Sequence, residues 1–161
     1  MTIAVGDTLP DATLLTMCGG APAAVSVAEK AKGRKIVIFG LPGAFTGVCT
    51  TAHVPSFLRS AEELAAKGVD EIICLSVNDP FVMSAWGESM GAAEAISFLG
   101  DPTSDFVKAL GLSFSAPPAG LIDRSRRFSM LVEDGVVTQL NLEESPGTCA
   151  VSAGETLLAA L

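Results

Sequence analysis

The fold is decided by the stretch KIVIFGLPGAFTGVCTTAH, which runs from Lys35 to His53. Its first part, KIVIFG, is a β-branched run that ends in glycine and is typical of a buried strand. From Val48 to Lys67 apolar residues recur at helical spacing until Gly68, which predicts a helix with a glycine C-cap. Pro55 lies inside this helix, where it removes a backbone hydrogen bond, so a kink is expected. Cys49 therefore falls in the first turn of a helix that follows a buried strand.

Two further strand and helix pairs are predicted after this unit. Glu71–Val77 reads EIICLSV and has the pattern of a second buried strand. Asn78 or Asp79 can cap the helix that follows it. Ile96–Leu99 is predicted as a third strand and Thr103–Leu110 as a short helix. Strands that alternate with helices in this way indicate a sheet with parallel neighbours.

The carboxyl-terminal part predicts a hairpin and a last helix. Phe128–Glu133 and Val136–Leu142 flank Asp134-Gly135, a strong two-residue hairpin signal. Ser152 and Glu155 have the spacing of a capping box ahead of a terminal helix. Together these elements predict a single α/β domain over residues 1–161, with a mixed central β-sheet and helices on both faces.

The composition excludes several classes of function. The 161 residues are 49% hydrophobic and 17% charged, which excludes disorder and suits one packed domain. Ten basic and 18 acidic residues give a net charge of −8, so nucleic acid is not an expected partner. The apolar run Ile36–Phe45 is broken by glycine and proline and is shorter than the ~20 residues of a membrane span, so no membrane association is expected. The amino-terminal residues lack an export pattern, which makes the cytoplasm the expected location.

The four cysteines, Cys18, Cys49, Cys74 and Cys149, match no metal or disulfide pattern. They contain no C-x-x-C pair and do not have the density of a disulfide-stabilised secreted scaffold. His53 is the only histidine, and zinc takes four ligands at characteristic spacing, so neither a metal nor another cofactor is expected. In a reducing compartment these thiols are either reactive groups or core residues.

Cys49 has the position of a reactive thiol. Unpaired N–H groups and the partial positive charge of a helix N-terminus favour a thiolate there. His53 follows one helical turn later, so a cysteine hydrolase that uses the Cys49/His53 pair is one alternative. Such an enzyme needs a third group that orients the imidazole, and the sequence offers none. We expect His53 to line or brace the pocket instead.

Pro42, Thr46 and Cys49 form the pattern P-x-x-x-T-x-x-C, which resembles the active-site loop of the peroxiredoxins. The segments PGAFTGVCTTAHVPSF, GVDEIICLSVNDPFVMSAWG, KALGL and RSRRFSMLVEDGVV are similar to the atypical two-cysteine, or type II, group of that family. The similarity extends from about Ile3 to Leu161. It implies a thioredoxin-like fold and the reduction of hydrogen peroxide and alkyl hydroperoxides.

The resemblance implies a role for each residue of the site. Cys49 is the peroxidatic nucleophile, and Arg127 matches the family's active-site arginine, which stabilises the thiolate and orients the peroxide. Arg124 and Arg126 are weaker candidates, because each is expected to be a solvated surface charge. Neighbouring residues on a strand face opposite sides, so Arg126 and Arg127 cannot both face one pocket. The remaining residues expected to bind or enclose the peroxide are Pro42, Thr46, Gly47, Val48 and His53.

The sulfenic acid formed on Cys49 must meet a second thiol to escape further oxidation. Cys149 matches the resolving position of animal-like members, and its surroundings have the composition of a mobile loop. Cys74 matches the position used in plant-like members, but EIICLSV predicts that it is buried. We expect Cys149 to resolve, ahead of an external thiol and then Cys74; Cys18 matches no family role.

Partners and rival functions follow from the same resemblance. Thioredoxin or the glutathione/glutaredoxin couple is the expected reductant, and a homodimer is the expected assembly. A redox-sensing or holdase-like module with a thioredoxin fold is a second alternative, beside the hydrolase. Neither alternative requires Pro42, Thr46, Cys49 and Arg127 to occur together.

Overall fold

The computed structural model describes residues 1–161 and contains nine strands and five α-helices. The strands are β1 (Thr13–Cys18), β2 (Ala21–Ser26), β3 (Lys35–Gly40), β4 (Glu71–Ser76), β5 (Ser97–Gly100), β6 (Ser113–Ala116), β7 (Leu121–Ser125), β8 (Phe128–Glu133) and β9 (Val136–Leu142). The helices are α1 (Val27–Ala31), α2 (Val54–Ala66), α3 (Pro80–Ser89), α4 (Asp105–Ala109) and α5 (Gly154–Ala159). A π turn at Cys49–His53 precedes α2, and a 3₁₀ turn at Pro117–Ala119 joins β6 to β7. The longest helix has 13 residues, and none of them is long and apolar enough to cross a membrane.

Seven strands form a mixed sheet in the order β2-β1-β5-β4-β3-β8-β9. β3, β4 and β5 are parallel neighbours, while β8 pairs antiparallel with both β3 and β9. The three parallel strands are those predicted from the buried apolar runs, and the β8–β9 hairpin is the one predicted around Asp134-Gly135. The predicted fold class is therefore confirmed.

Helices cover both faces of this sheet, and each face has its own apolar core. One core lies beneath α1 and α4 and includes Ile38, Phe106 and Met130. The other lies beneath α2, α3 and α5, and both Cys49 and Cys74 belong to it. Each fully buried Leu, Ile, Phe or Met side chain stabilises the fold by about 1.5–3 kcal/mol. The π turn that begins at Cys49 thus packs on the same core as the central strands β3 and β4.

The amino-terminal hairpin, β1 and β2, was absent from the sequence prediction. Its strands are joined by Gly19 and Gly20, whose φ angles are +59° and +81°, as a type I′ turn requires. β2 reads APAAVS and has little β-branched character, so hydrophobic periodicity does not reveal it. The Gly-Gly pair at the turn is the local signal from which this hairpin could have been predicted.

The predicted capping box at the last helix is wrong. α5 begins after Ala153, which makes no side-chain cap. The Ser152 hydroxyl donates instead to Glu143, at 2.6 Å, and Glu155 forms an exposed ion pair with Arg59. In a capping box the serine oxygen accepts from a backbone N–H and the glutamate accepts the serine N–H. Here the Glu143 carboxylate accepts both the Ser152 N–H and the Ser152 hydroxyl, so a tertiary contact replaces the local cap.

Candidate active site

Cys49 lies at the start of a π turn rather than in a regular α-helix. The Val54 N–H donates to the Cys49 carbonyl, an i to i+5 bond, and α2 continues from there. Pro55 follows immediately and has no N–H to donate. The kink expected at Pro55 is thus replaced by a widened turn, a feature often found at functional sites.

Arg127 contacts the Cys49 sulfur directly. It lies just before β8, and its Nη2 donates a hydrogen bond to Cys49 Sγ at 3.1 Å. Cys49 is 0% exposed and Arg127 is 2% exposed. No carboxylate forms an ion pair with this buried guanidinium. Because a buried charge needs a partner, this geometry favours the thiolate form of Cys49 as the counter-charge.

His53 holds Arg127 in place and does not act on Cys49. Arg127 Nη1 lies 3.0 Å from His53 Nδ1, and guanidinium groups only donate, so Nδ1 is the unprotonated nitrogen. Nε2 therefore carries the hydrogen and donates it to the Ser152 carbonyl at 3.1 Å. Both ring nitrogens are occupied, so the imidazole has no free nitrogen for general-base catalysis in a hydrolase. We therefore assign His53 a positioning role.

The pKa of His53 gives a testable pH dependence. Burial, followed by the charge of Arg127, lowers the pKa of His53 from 6.5 to about 3. Below pH 6.5 His53 is protonated in the unfolded chain but stays neutral in the folded chain down to about pH 3. The free energy of unfolding therefore falls as the pH falls from 6.5 towards 3. Between pH 8 and pH 5 this group should lower the free energy of unfolding by about 2 kcal/mol.

Urea denaturation of the wild type and of His53→Gln, each at pH 8 and pH 5, measures this difference. The wild type should lose more stability than the variant over that interval. Because His53 is the only histidine, its NMR signal can be followed without assignment. A His53 resonance that titrates near pH 6.5 would contradict the arrangement.

The loop between β3 and the π turn presents groups for a small polar ligand. The Thr46 hydroxyl donates its hydrogen to the Gly43 carbonyl at 2.6 Å. The Thr46 oxygen can therefore only accept a hydrogen bond from a ligand. The backbone N–H groups of Gly47, Val48 and Cys49 make no hydrogen bond within the protein. They are the free donors of a helix N-terminus. The loop thus offers an acceptor and several donors beside the Cys49 sulfur.

Two side chains, Arg124 and Asn78, hold this loop, a role that the sequence did not predict for either. Arg124 Nη1 donates to the Pro42 carbonyl at 3.1 Å, so Arg124 supports the loop and does not contact Cys49. Asn78 Oδ1 accepts from the Ala44 N–H at 3.0 Å and is itself bonded by Ser76. The helix cap is Asp79, which leaves Asn78 for this task.

Trp86 and Phe81, both on α3, differ in their surroundings. Trp86 is fully buried, and its indole N–H donates to the Thr50 hydroxyl at 3.2 Å. Its ring centroid is 6.3 Å from that of Phe45. Phe81 is 59% exposed and Phe45 57%. Trp86 therefore connects the core to the Cys49 turn, while the two phenylalanines face outward beside it.

The two candidate resolving cysteines lie in different surroundings. Cys74 is on central strand β4, opposite Phe39, and burial raises the pKa of its thiol well above the usual value. Cys149 is partly exposed on the loop between β9 and α5, and burial raises the pKa of its thiol while a contact with Ser152 opposes the rise. Cys18 is exposed at the end of β1.

This chain is similar to a known protein family and to several of its members. The family model described as Redoxin matches residues 4–158. Peroxiredoxin-2C of Oryza sativa subsp. japonica is 48% identical over 160 residues, with 99% of this chain and 98% of the relative covered. The chain belongs to the type II peroxiredoxins. The family predicted from the P-x-x-x-T-x-x-C pattern is confirmed.

Further relatives agree with this assignment. Peroxiredoxin-2E-2, chloroplastic, from the same plant is 50% identical, with 99% of this peroxiredoxin and 73% of the relative covered. The structure of reduced Prx3 in complex with H2O2 from Vibrio vulnificus is 46% identical and superposes with a TM-score of 0.92, covering 99% of this chain and 96% of that one. The protein is accordingly a thiol-dependent peroxidase with a thioredoxin-like fold.

Proposed function

We propose that this peroxiredoxin reduces hydrogen peroxide and alkyl hydroperoxides through the Cys49 thiolate. The sulfur attacks one peroxide oxygen, an S–O bond forms and the O–O bond breaks. Cys49 is oxidised to a sulfenic acid, and the leaving oxygen takes a proton to become water or an alcohol. The observation that carries this proposal is the 3.1 Å hydrogen bond from buried Arg127 to Cys49 Sγ.

The loop geometry supports a defined orientation of the peroxide. The Thr46 oxygen can accept a hydrogen bond from the peroxide O–H, because its own hydrogen is given to Gly43. Arg127 and the free N–H groups of Gly47 and Val48 can donate to the peroxide oxygens as negative charge develops on the leaving oxygen. Pro42 is buried against the loop and shields the pocket from water.

We propose Cys149 as the resolving cysteine. It lies among exposed residues of a loop, so it can move towards Cys49 without breaking the sheet. Cys74 shares an apolar core with Cys49 but is fixed in a central strand and is fully buried. A disulfide needs Cα atoms about 4.4–6.8 Å apart, and we expect the Cys49 turn to unwind partly to reach either partner. Thioredoxin or glutathione with glutaredoxin would then reduce the oxidised enzyme.

Turnover of hydrogen peroxide with thioredoxin or with glutathione and glutaredoxin tests this scheme. The wild type should consume many equivalents of peroxide with at least one of these reductants. Cys149→Ser should lose turnover with thioredoxin and gain Cys49 sulfinic acid, because its sulfenic acid has no internal partner. The matched variant Cys74→Ala should retain wild-type turnover.

Each contrary result has a distinct meaning. Loss of turnover in Cys74→Ala with normal turnover in Cys149→Ser would transfer the resolving role to Cys74. A wild type that consumes no peroxide above the reductant alone would overturn the peroxidase proposal. A redox-sensing or holdase-like role would give that last result, since it requires oxidation of Cys49 without turnover.

We propose further that residues 1–161 act as one domain, in the cytoplasm, as a homodimer. The Ile3 N–H bonds the Leu110 carbonyl, and α5 packs on α2, so both ends of the chain join the same body. Four free cysteines suit a reducing compartment. Phe45 on the active-site loop and Phe81 on α3 are exposed apolar side chains, which suit contact with a second subunit.

A further inference from the structure

Glu143 is a buried carboxylate outside the peroxide pocket. It is 4% exposed and forms no ion pair. Its Oε2 accepts three hydrogen bonds: from the Ala150 N–H at 2.9 Å, the Ser152 N–H at 2.7 Å and the Ser152 hydroxyl at 2.6 Å. These bonds close the chain from residue 143 to 152 into a loop held at its base by one oxygen.

The same loop supplies two carbonyl groups to the active site. The Pro146 carbonyl accepts from Arg127 Nε at 3.1 Å and from Nη2 at 3.0 Å. The Ser152 carbonyl accepts from His53 Nε2, and His53 Nδ1 in turn accepts from Arg127. The Glu143 N–H also donates to the Arg127 carbonyl at 3.0 Å. Besides Cys49, the Arg127 side chain has two polar partners. The Pro146 carbonyl belongs to this loop, and His53 is held by the loop through the Ser152 carbonyl.

We infer that Glu143 is a positioning residue for peroxide reduction and acts on Cys49 through Arg127. The carboxylate fixes the loop, the loop carbonyls fix the direction of the guanidinium, and Arg127 Nη2 holds the sulfur. A charged acceptor makes hydrogen bonds about twice as strong as a neutral one, so the carboxylate holds the loop more firmly than an amide would. This inference rests on the proposed function of Cys49 and adds a residue that touches neither peroxide nor sulfur.

The test compares Glu143→Gln with Glu144→Gln, a matched change at the next residue, which is exposed and makes no side-chain contact in the hydrogen-bond network. Glu143→Gln should slow the reaction of Cys49 with hydrogen peroxide about 10- to 100-fold, since small misplacements of a catalytic group have effects of this size. Alkylation of Cys49 by iodoacetamide at neutral pH should also be slower. Glu144→Gln should match the wild type in both measurements.

A double-mutant cycle separates positioning from a general structural role. If Glu143 acts through Arg127, adding Glu143→Gln to Arg127→Ala should lower the rate by less than about twofold. An equal loss in the two backgrounds, or a Glu143→Gln rate equal to that of Glu144→Gln, would overturn the inference. Should Glu143→Gln fail to fold by circular dichroism, Ser152→Ala removes one of the three donors and should shift rate and alkylation in the same direction. An unchanged Ser152→Ala would then overturn it.

The rate of Cys49 alkylation keeps this inference separable from the proposed function. Iodoacetamide reports the thiolate of Cys49 whether or not the protein reduces peroxide. A wild type that does not react with peroxide would overturn the proposed function, while slower alkylation of Glu143→Gln would still show that Glu143 positions Arg127 at Cys49. Alkylation of Cys49 at the same rate in Glu143→Gln and in the wild type would overturn the positioning role alone.

Discussion

Replacing Cys49 with serine is expected to abolish peroxide consumption. A serine hydroxyl is nearly the same size and can still accept the hydrogen bond from Arg127, so the fold and the pocket should remain. It is not ionised near neutral pH and cannot form the sulfenic acid that the cycle requires. Peroxide remaining after incubation with reductant should equal that in a control without protein.

The matched variant for this experiment is Cys18→Ser. Cys18 is exposed at the end of β1, far along the sheet order from β3 and without a contact to the active-site groups described above. It should consume peroxide at the wild-type rate. Consumption by Cys49→Ser above the control, or its loss in Cys18→Ser, would show that another thiol reacts with peroxide.

Replacing Arg127 with alanine is expected to lower the second-order rate constant of Cys49 with hydrogen peroxide by about 10²–10³-fold. Loss of one preorganised hydrogen-bond donor that stabilises negative charge in the transition state typically slows a reaction by about this factor. Arg127 also contacts the Cys49 sulfur before peroxide binds, so alkylation of Cys49 by iodoacetamide should be slower as well. The reaction can be followed by competition with a thiol of known reactivity.

Arg127→Lys is the matched variant for this prediction. It retains the positive charge but cannot contact Cys49, His53 and Pro146 together, because a lysine has no planar fork of donors. Its rate should lie between those of the wild type and Arg127→Ala. The emission of Trp86, the only tryptophan and a buried one, reports whether each variant retains its packing. A wild-type rate in a folded Arg127→Ala would remove Arg127 from the mechanism.

The central part of the fold follows directly from the sequence. The buried runs at β3 and β4 consist of β-branched and apolar residues, so their periodicity alone identifies them. The position of Cys49 after β3 then follows from the helix pattern and from Gly68. The N-terminal hairpin was missed because β2 contains alanine and proline, and only the paired glycines at its turn mark it.

The supporting contacts of the site are not readable from local sequence. Asn78 and Glu143 are distant from Cys49 along the chain and are brought to the site by β4 and β9. Ser152 and Glu155 satisfy the capping-box pattern, yet Ser152 binds Glu143 because the fold brings a carboxylate to it. A local rule predicts local partners, whereas here the carboxylate that accepts the Ser152 N–H is Glu143 rather than Glu155.

The role of His53 could not be settled by spacing either. A histidine one turn after a cysteine fits a catalytic pair, a metal ligand or a structural support equally well. The structure distinguishes these roles because both ring nitrogens have identified partners, Arg127 and Ser152. His53 lies one turn after Cys49 because both residues contact the Arg127 guanidinium.

The most direct measurement is a map of cysteine oxidation after a single turnover. The fully reduced protein receives one equivalent of hydrogen peroxide, is quenched with an alkylating agent, and is digested for mass spectrometry. Our account predicts that Cys49 alone is oxidised first and is recovered in a disulfide with Cys149. Recovery of alkylated, unoxidised Cys49 with the peroxide unconsumed would contradict the claim that this thiol is the site of peroxide reduction.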